Sequence, residues 1–121
     1  MYIYLFPIIS ASVIVAVSFG GRQILPLTID DIITTGSGND VIILRAGDGG
    51  SSLSGADIIK DFTDGLDSFG LADGLQYSDL TIAQGTADNA NNTIISKGSE
   101  YLAIVENFAF GSMTEVDTTT I

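Results

Sequence analysis

The stretch that most constrains the fold is residues 36–43, where two glycines and an Asn-Asp pair lead into β-branched residues. Glycine adopts the left-handed backbone conformations of tight turns, which residues with a Cβ adopt only at a cost. The Val-Ile-Ile run that follows favours a strand. The stretch therefore predicts a tight turn that leads directly into a strand, with Asp40 at the junction.

The oxygen atoms of this turn suggest a metal. The carboxylate of Asp40 and the exposed turn carbonyls are hard ligands, which suit Ca²⁺ better than any transition metal. A second acidic stretch follows at 57–67, where the pattern predicts a strand, a turn at 63–65 and a second strand over 66–71. Such a hairpin would bring Asp61 and Asp67 together, and two close carboxylates repel unless a cation or proton intervenes. The alternative is a solvated hairpin with separated side chains.

Residues 35–43 resemble one copy of the calcium-binding nonapeptide of RTX (repeat-in-toxin) proteins, Gly-Gly-x-Gly-x-Asp-x-aliphatic-x. The motif positions are held by Thr35 at the first glycine, then Gly36, Gly38, Asp40 and Ile42. The following segments resemble the C-terminal module that closes such repeats in secreted bacterial proteins, most closely cyanobacterial ones. The likeness covers roughly residues 35 to 117. It implies calcium binding and an extracellular location.

The candidate calcium ligands combine the turn with the second acidic stretch. They are Gly36, Gly38, Asn39, Asp40, Asp48, Asp57, Asp61, Asp64 and Asp67. The chain has one good copy of the motif, because residues 46–51 lack an Asp at the position that the motif requires and are out of the nine-residue register. A stable solenoid needs about three or more repeats. We therefore expect no long β-roll. We expect an all-β domain over 22–121, a sandwich or jelly-roll-like body with one calcium turn and at most one or two ions.

Residues 1–21 form an apolar N-terminal extension, and residues 1–20 carry no charge. A signal peptide with a cleavage site at 16–18 is one interpretation, and a transmembrane helix of about 20 residues is another. The third is an extended strand, because residues 9–19 alternate with period two. As a strand, the segment could be donated to the next subunit. The interface residues would then be Ile9, Ala11, Val13, Val15, Val17 and Phe19.

Composition excludes several functions. The chain has neither Cys nor His, so a nucleophile-base triad cannot be assembled and an enzyme is not expected. The net charge of -11 disfavours nucleic acid and anionic membrane surfaces as partners and favours cations.

These observations predict an extracellular calcium-binding structural protein that self-assembles. Donation of the N-terminal strand would join copies head to tail into a filament or surface layer, because such heterologous contacts propagate. The alternative is a membrane-anchored or secreted monomeric calcium-binding module, in which the uncharged N-terminal segment would be an anchor or a leader.

Overall fold

The computed structural model describes residues 2–4, 13–15, 22–25, 32–36, 38–47 and 49–121, with side chains from residue 32 onward. This part of the chain contains strands and five single turns of 3-10 helix, and no α-helix. The strands are β1 (Tyr2–Tyr4), β2 (Val13–Val15), β3 (Arg22–Leu25), β4 (Ile32–Thr34), β5 (Asp40–Leu44), β6 (Asp57–Ile59), β7 (Ser68–Leu71), β8 (Thr81–Gln84), β9 (Thr93–Lys97), β10 (Glu100–Val105) and β11 (Thr118–Thr120). The all-β prediction is confirmed.

The strands form two sheets. Sheet A has the order β1-β3-β5-β7-β11, and all its neighbours are parallel. Sheet B has the order β2-β4-β6-β10-β9-β8, and it is parallel from β2 to β10 before β9 and β8 add antiparallel pairings. From β1 to β7 the chain alternates strictly between the sheets, so each coil contributes one strand to each. The described strands therefore form a two-sheet parallel roll that ends in antiparallel strands.

This topology differs from two sequence-based expectations. A jelly roll is built from antiparallel neighbours, whereas most pairs here are parallel. We expected no long β-roll from a single nonapeptide, yet the described strands build successive coils without repeating that motif. Each coil needs only a short apolar strand at the same place. Ile33, Ile42 and Ile59 fill such positions and are fully buried.

The predicted hairpin over residues 57–71 was also wrong. Its first strand is β6 in sheet B and its second is β7 in sheet A. Each strand is central in its own sheet, with a neighbour on both sides, and Ile59 and Phe69 are both fully buried. Both edges of each strand therefore pair with strands of other coils, which satisfies their backbone N–H and C=O groups.

The main core lies between the sheets. Ile42 and Phe69 enter it from sheet A, and Ile33, Ile59 and Val105 enter it from sheet B. Three aromatic rings also belong to it. Phe62 stacks on Phe69 at 4.8 Å between ring centroids and meets Phe108 edge-on at 5.3 Å. These contacts anchor the chain just after β6, where the acidic residues lie.

The N-terminal strands pair within their own chain. β1 pairs with β3, and β2 pairs with β4 with Val13 opposite Ile32 and Val15 opposite Thr34. Of the predicted interface residues, Val13 and Val15 lie in β2, while Ile9, Ala11, Val17 and Phe19 lie outside the described residues. Strand donation stays a prediction.

Candidate metal centre

The predicted turn before β5 is present. Gly36 has φ +81° and Gly38 has φ +96°, the left-handed region that glycine adopts without steric cost. Asp40 is the first residue of β5 and is fully buried. We call this turn, residues 35–40, together with residues 60–67 of the next coil, the acidic corner. At this corner the chain passes from sheet B to sheet A.

Asp61 joins the two coils of the acidic corner. Its Oδ1 accepts hydrogen bonds from the Thr35 backbone N–H at 2.9 Å and the Thr35 hydroxyl at 3.3 Å. Its Oδ2 accepts one from the Gly36 N–H at 2.8 Å. Thr35 is fully buried, so without Asp61 its N–H would need another acceptor away from water. The carboxylate therefore holds the glycine turn against the coil that follows it.

Asp67 makes a second connection of the same kind. The parallel register sets Val41 opposite Ser68, so Asp40 and Asp67 occupy equivalent positions on adjacent strands. Asp67 Oδ1 accepts the Asp40 N–H at 3.0 Å, and its Oδ2 accepts the Thr63 N–H at 2.8 Å. Asp67 is only 4% exposed. Two carboxylates, Asp61 and Asp67, thus bridge the same pair of coils through backbone amides.

The electrostatics of the corner raise the pKa of Asp67 above its ordinary value of 3.8. Burial is the largest cause, because it penalises the charged form. The negative charges of Asp40 and Asp61 raise the pKa further, while the hydrogen bonds from Thr63 and Asp40 lower it. Asp61 and Asp67 thus both contact the glycine turn of the preceding coil, and no hairpin is involved.

The remaining predicted ligands are distributed differently. Asp57 is buried at the start of β6, whereas Asp61 follows the end of that strand, so the two lie at opposite ends of it. Asp64 and Asn39 are exposed. Asp48 lies outside the described residues. Of the predicted set, Asp61 and Asp67 therefore contact the turn that contains Gly36, Gly38 and Asp40, through hydrogen bonds to its backbone N–H groups.

Sequence reasoning missed Glu100. Its carboxylate accepts hydrogen bonds from the Gly47 N–H at 3.0 and 2.8 Å and from the Gly49 N–H at 3.2 Å. This holds the second glycine-rich loop on β10, at a sequence distance of 53 residues. The available signal was the set of three glycines within residues 47–50, whose backbone amides need hydrogen-bond acceptors. Nothing near it in the chain identifies which carboxylate supplies one.

The acidic corner fits calcium in its chemistry and only partly in its geometry. Its side chains present anionic oxygen, which Ca²⁺ prefers. Each carboxylate oxygen of Asp61 and Asp67 already accepts a backbone N–H, but a carboxylate oxygen has a second lone pair for a cation. Within the described residues, no three Asp, Glu, His or Cys side chains are grouped closely enough to hold a metal ion. Main-chain oxygens or water would have to complete any coordination sphere.

Comparison with known proteins does not assign the chain to a family. No protein-family model matches the chain, and no curated protein matches it. Among the described residues, no helix is long and apolar enough to cross a membrane.

The raised pKa of Asp67 predicts a pH-dependent contribution to stability. A carboxyl whose folded pKa exceeds its unfolded value stabilises the fold fully below the unfolded value, here 3.8, and that stabilisation is lost as pH rises through the folded value. In chelator, the unfolding free energy of the wild type minus that of Asp67→Asn should therefore fall as pH rises above 3.8. Urea unfolding at a series of pH values measures this difference.

The matched control is Asp64→Asn, because Asp64 is exposed in the same turn. The unfolding free energy of the wild type minus that of Asp64→Asn should not fall as pH rises. A wild type that gains stability over Asp67→Asn as pH rises would contradict the raised pKa.

Proposed function

We propose that this protein is an extracellular, calcium-binding structural protein of the RTX type that assembles with copies of itself. The observation that carries the proposal is the convergence of Asp61 and Asp67 on the glycine turn that begins β5. At this junction of two coils, Asp61 accepts the Gly36 N–H and Asp67 accepts the N–H of the buried Asp40. The residues of this turn are the ones that resemble the RTX nonapeptide.

Calcium would act at the acidic corner by neutralising charge. Burial raises the pKa of Asp67, and repulsion from the negative charges of Asp40 and Asp61 raises it further. A divalent cation beside them removes that repulsion without requiring protonation. By linkage, an ion that binds only the folded state stabilises it by about 2.7 kcal/mol at one hundred times its dissociation constant. The net charge of -11 favours attraction of the cation from solution.

A structural role suits the rest of the chain. With neither His nor Cys it has no conventional nucleophile-base pair, so binding is its main chemistry. The described sheets end in edge strands, β1 and β11 in sheet A and β2 and β8 in sheet B. Unpaired strand edges invite pairing with another chain. Head-to-tail pairing is heterologous and gives a filament or layer unless its geometry closes a ring. The extracellular location rests on the RTX resemblance.

The experiment is thermal unfolding of the wild type, Asp40→Asn and the control Asp64→Asn, each in calcium and in chelator. Calcium should raise the melting temperature of the wild type by about 10 °C at one hundred times its dissociation constant. Asp40→Asn should lose most of that rise, and Asp64→Asn should keep it because Asp64 is exposed. The same samples are sized by light scattering, in which the wild type should form large assemblies.

The two halves of the proposal have separate outcomes. If calcium does not change the melting temperature of the wild type, the proposed calcium binding is excluded. If calcium stabilises the wild type but the protein stays monomeric, self-assembly is excluded and the alternative of a secreted monomeric module is supported.

A further inference from the structure

The two sheets differ in length at the C-terminal end of the roll. Sheet A has five described strands, from β1 at one edge to β11 at the other. Sheet B has six, from β2 to β8. Among the described strands, sheet A therefore ends one strand earlier than sheet B. This leaves a step one strand wide beside β11.

A groove follows β11 at this step. It has a volume of about 240 Å³. Its lining residues are Gln76, Tyr77, Ser78, Glu115, Thr118 and Thr120. Two apolar residues near the ends of the strand are exposed, Val116 at 88% two residues before it and Ile121 at 49% directly after it. The groove beside β11 is thus lined by polar side chains, with an exposed apolar residue near each end of the strand.

The backbone of β11 has one edge available. The Ile121 N–H, just after the strand, donates to Leu71 O of β7 at 2.9 Å. Because N–H groups of alternate residues in a strand face opposite edges, the Thr120 N–H faces away from β7. Within the described residues, β11 pairs only with β7. A further strand could pair there.

We propose that this groove receives β1 (Tyr2–Tyr4) of a second copy as the sixth strand of sheet A. All strands of sheet A are parallel, so β1 would keep its direction on passing from one copy to the next. Within its own copy, β1 pairs with β3 over three residue pairs, so the release of β1 from that sheet costs little free energy. Tyr and Ile are residue types that favour strands. The inference rests on the self-assembly in the proposed function and names its receiving surface.

The test compares the assembly of the wild type, Thr120→Pro, Val116→Lys and the control Thr120→Val by sedimentation and electron microscopy. Proline at 120 removes the outward-facing N–H but leaves the Ile121 bond to β7 in place, as edge strands tolerate. Val116→Lys puts a charge beside the groove at a residue that is already exposed, so folding is unaffected. Both variants should need about tenfold more protein to assemble, or more. Thr120→Val should assemble like the wild type.

The outcomes separate this inference from the proposed function. If Thr120→Pro and Val116→Lys both assemble at the same protein concentration as the wild type, the groove is not the receiving surface, and the proposal of self-assembly is unaffected. A wild type that never assembles overturns self-assembly and the groove together. If Thr120→Pro fails to fold, as judged by its melting curve, Val116→Lys alone decides the result.

Discussion

Gly49→Ala should destabilise the protein by roughly 3–5 kcal/mol. A Cβ on Gly49 would overlap the carbonyl oxygen of Tyr101 and lie 2.8 Å from its carbonyl carbon. Both atoms belong to the backbone of β10, which lies between β6 and β9 in sheet B. Because a central strand cannot move aside as a flexible side chain would, the glycine loop has to leave the sheet.

Loss of that contact would break a set of bonds at once. The neighbouring Gly50 exchanges two backbone hydrogen bonds with Tyr101, at 3.1 and 2.8 Å. Glu100 holds the amides of Gly47 and Gly49 in the same loop. Moving the loop away from β10 would therefore leave several amides without acceptors, which adds to the steric cost.

Urea unfolding of Gly49→Ala and Gly111→Ala measures the effect. Gly111 is the matched control, since nothing lies within 4 Å of a Cβ built there. Its substitution should change the unfolding free energy by less than about 0.5 kcal/mol. Equal stabilities of the two variants would mean that the loop does not pack on β10 as closely as the structure has it.

Asp61→Ala should cost about 2–4 kcal/mol in chelator. The substitution removes the acceptor of three donors, the N–H and hydroxyl of Thr35 and the N–H of Gly36. Thr35 is fully buried, so its amide cannot turn to water without opening the acidic corner. Hydrogen bonds to an ionised acceptor are worth more than neutral ones, which places this loss above that of an ordinary surface bond.

Two further variants identify the cause of the loss. Asp61→Asn keeps one acceptor oxygen but presents an NH₂ group to the other donor, so its stability should fall between the wild type and Asp61→Ala. Asp64→Ala, in the exposed part of the same turn, should be nearly neutral. If Asp61→Ala unfolds at the wild-type urea concentration, the carboxylate does not hold the turn.

The features predicted correctly from the sequence are local ones. The turn at Gly36 and Gly38 follows from the ability of glycine to take positive φ, and β5 follows from its β-branched residues. Such preferences belong to a few adjacent residues, so they can be inferred without the rest of the chain. The hairpin predicted for residues 57–71 failed, because its two strands pair in different sheets.

The failures involve partners that are far apart in the chain. Nothing near Glu100 indicates that it accepts the amides of Gly47 and Gly49, about fifty residues earlier. Asp57 resembles the other acidic residues of its segment, yet it lies at the opposite end of β6 from Asp61. The same residue types can serve in a turn or in a strand, and only the packing of the strands decides which.

The amino-acid sequence by itself determined an acidic, all-β chain with a tight glycine turn leading into a strand at Asp40, because conformational preference and charge are properties of single residues and their neighbours. Only the tertiary structure decided that the strands alternate between two sheets as a parallel roll and that Asp61 reaches a turn 26 residues earlier. The physical reason is that short apolar strands are nearly interchangeable as pairing partners. The pairing that buries the apolar faces of all of them together is a property of the whole fold.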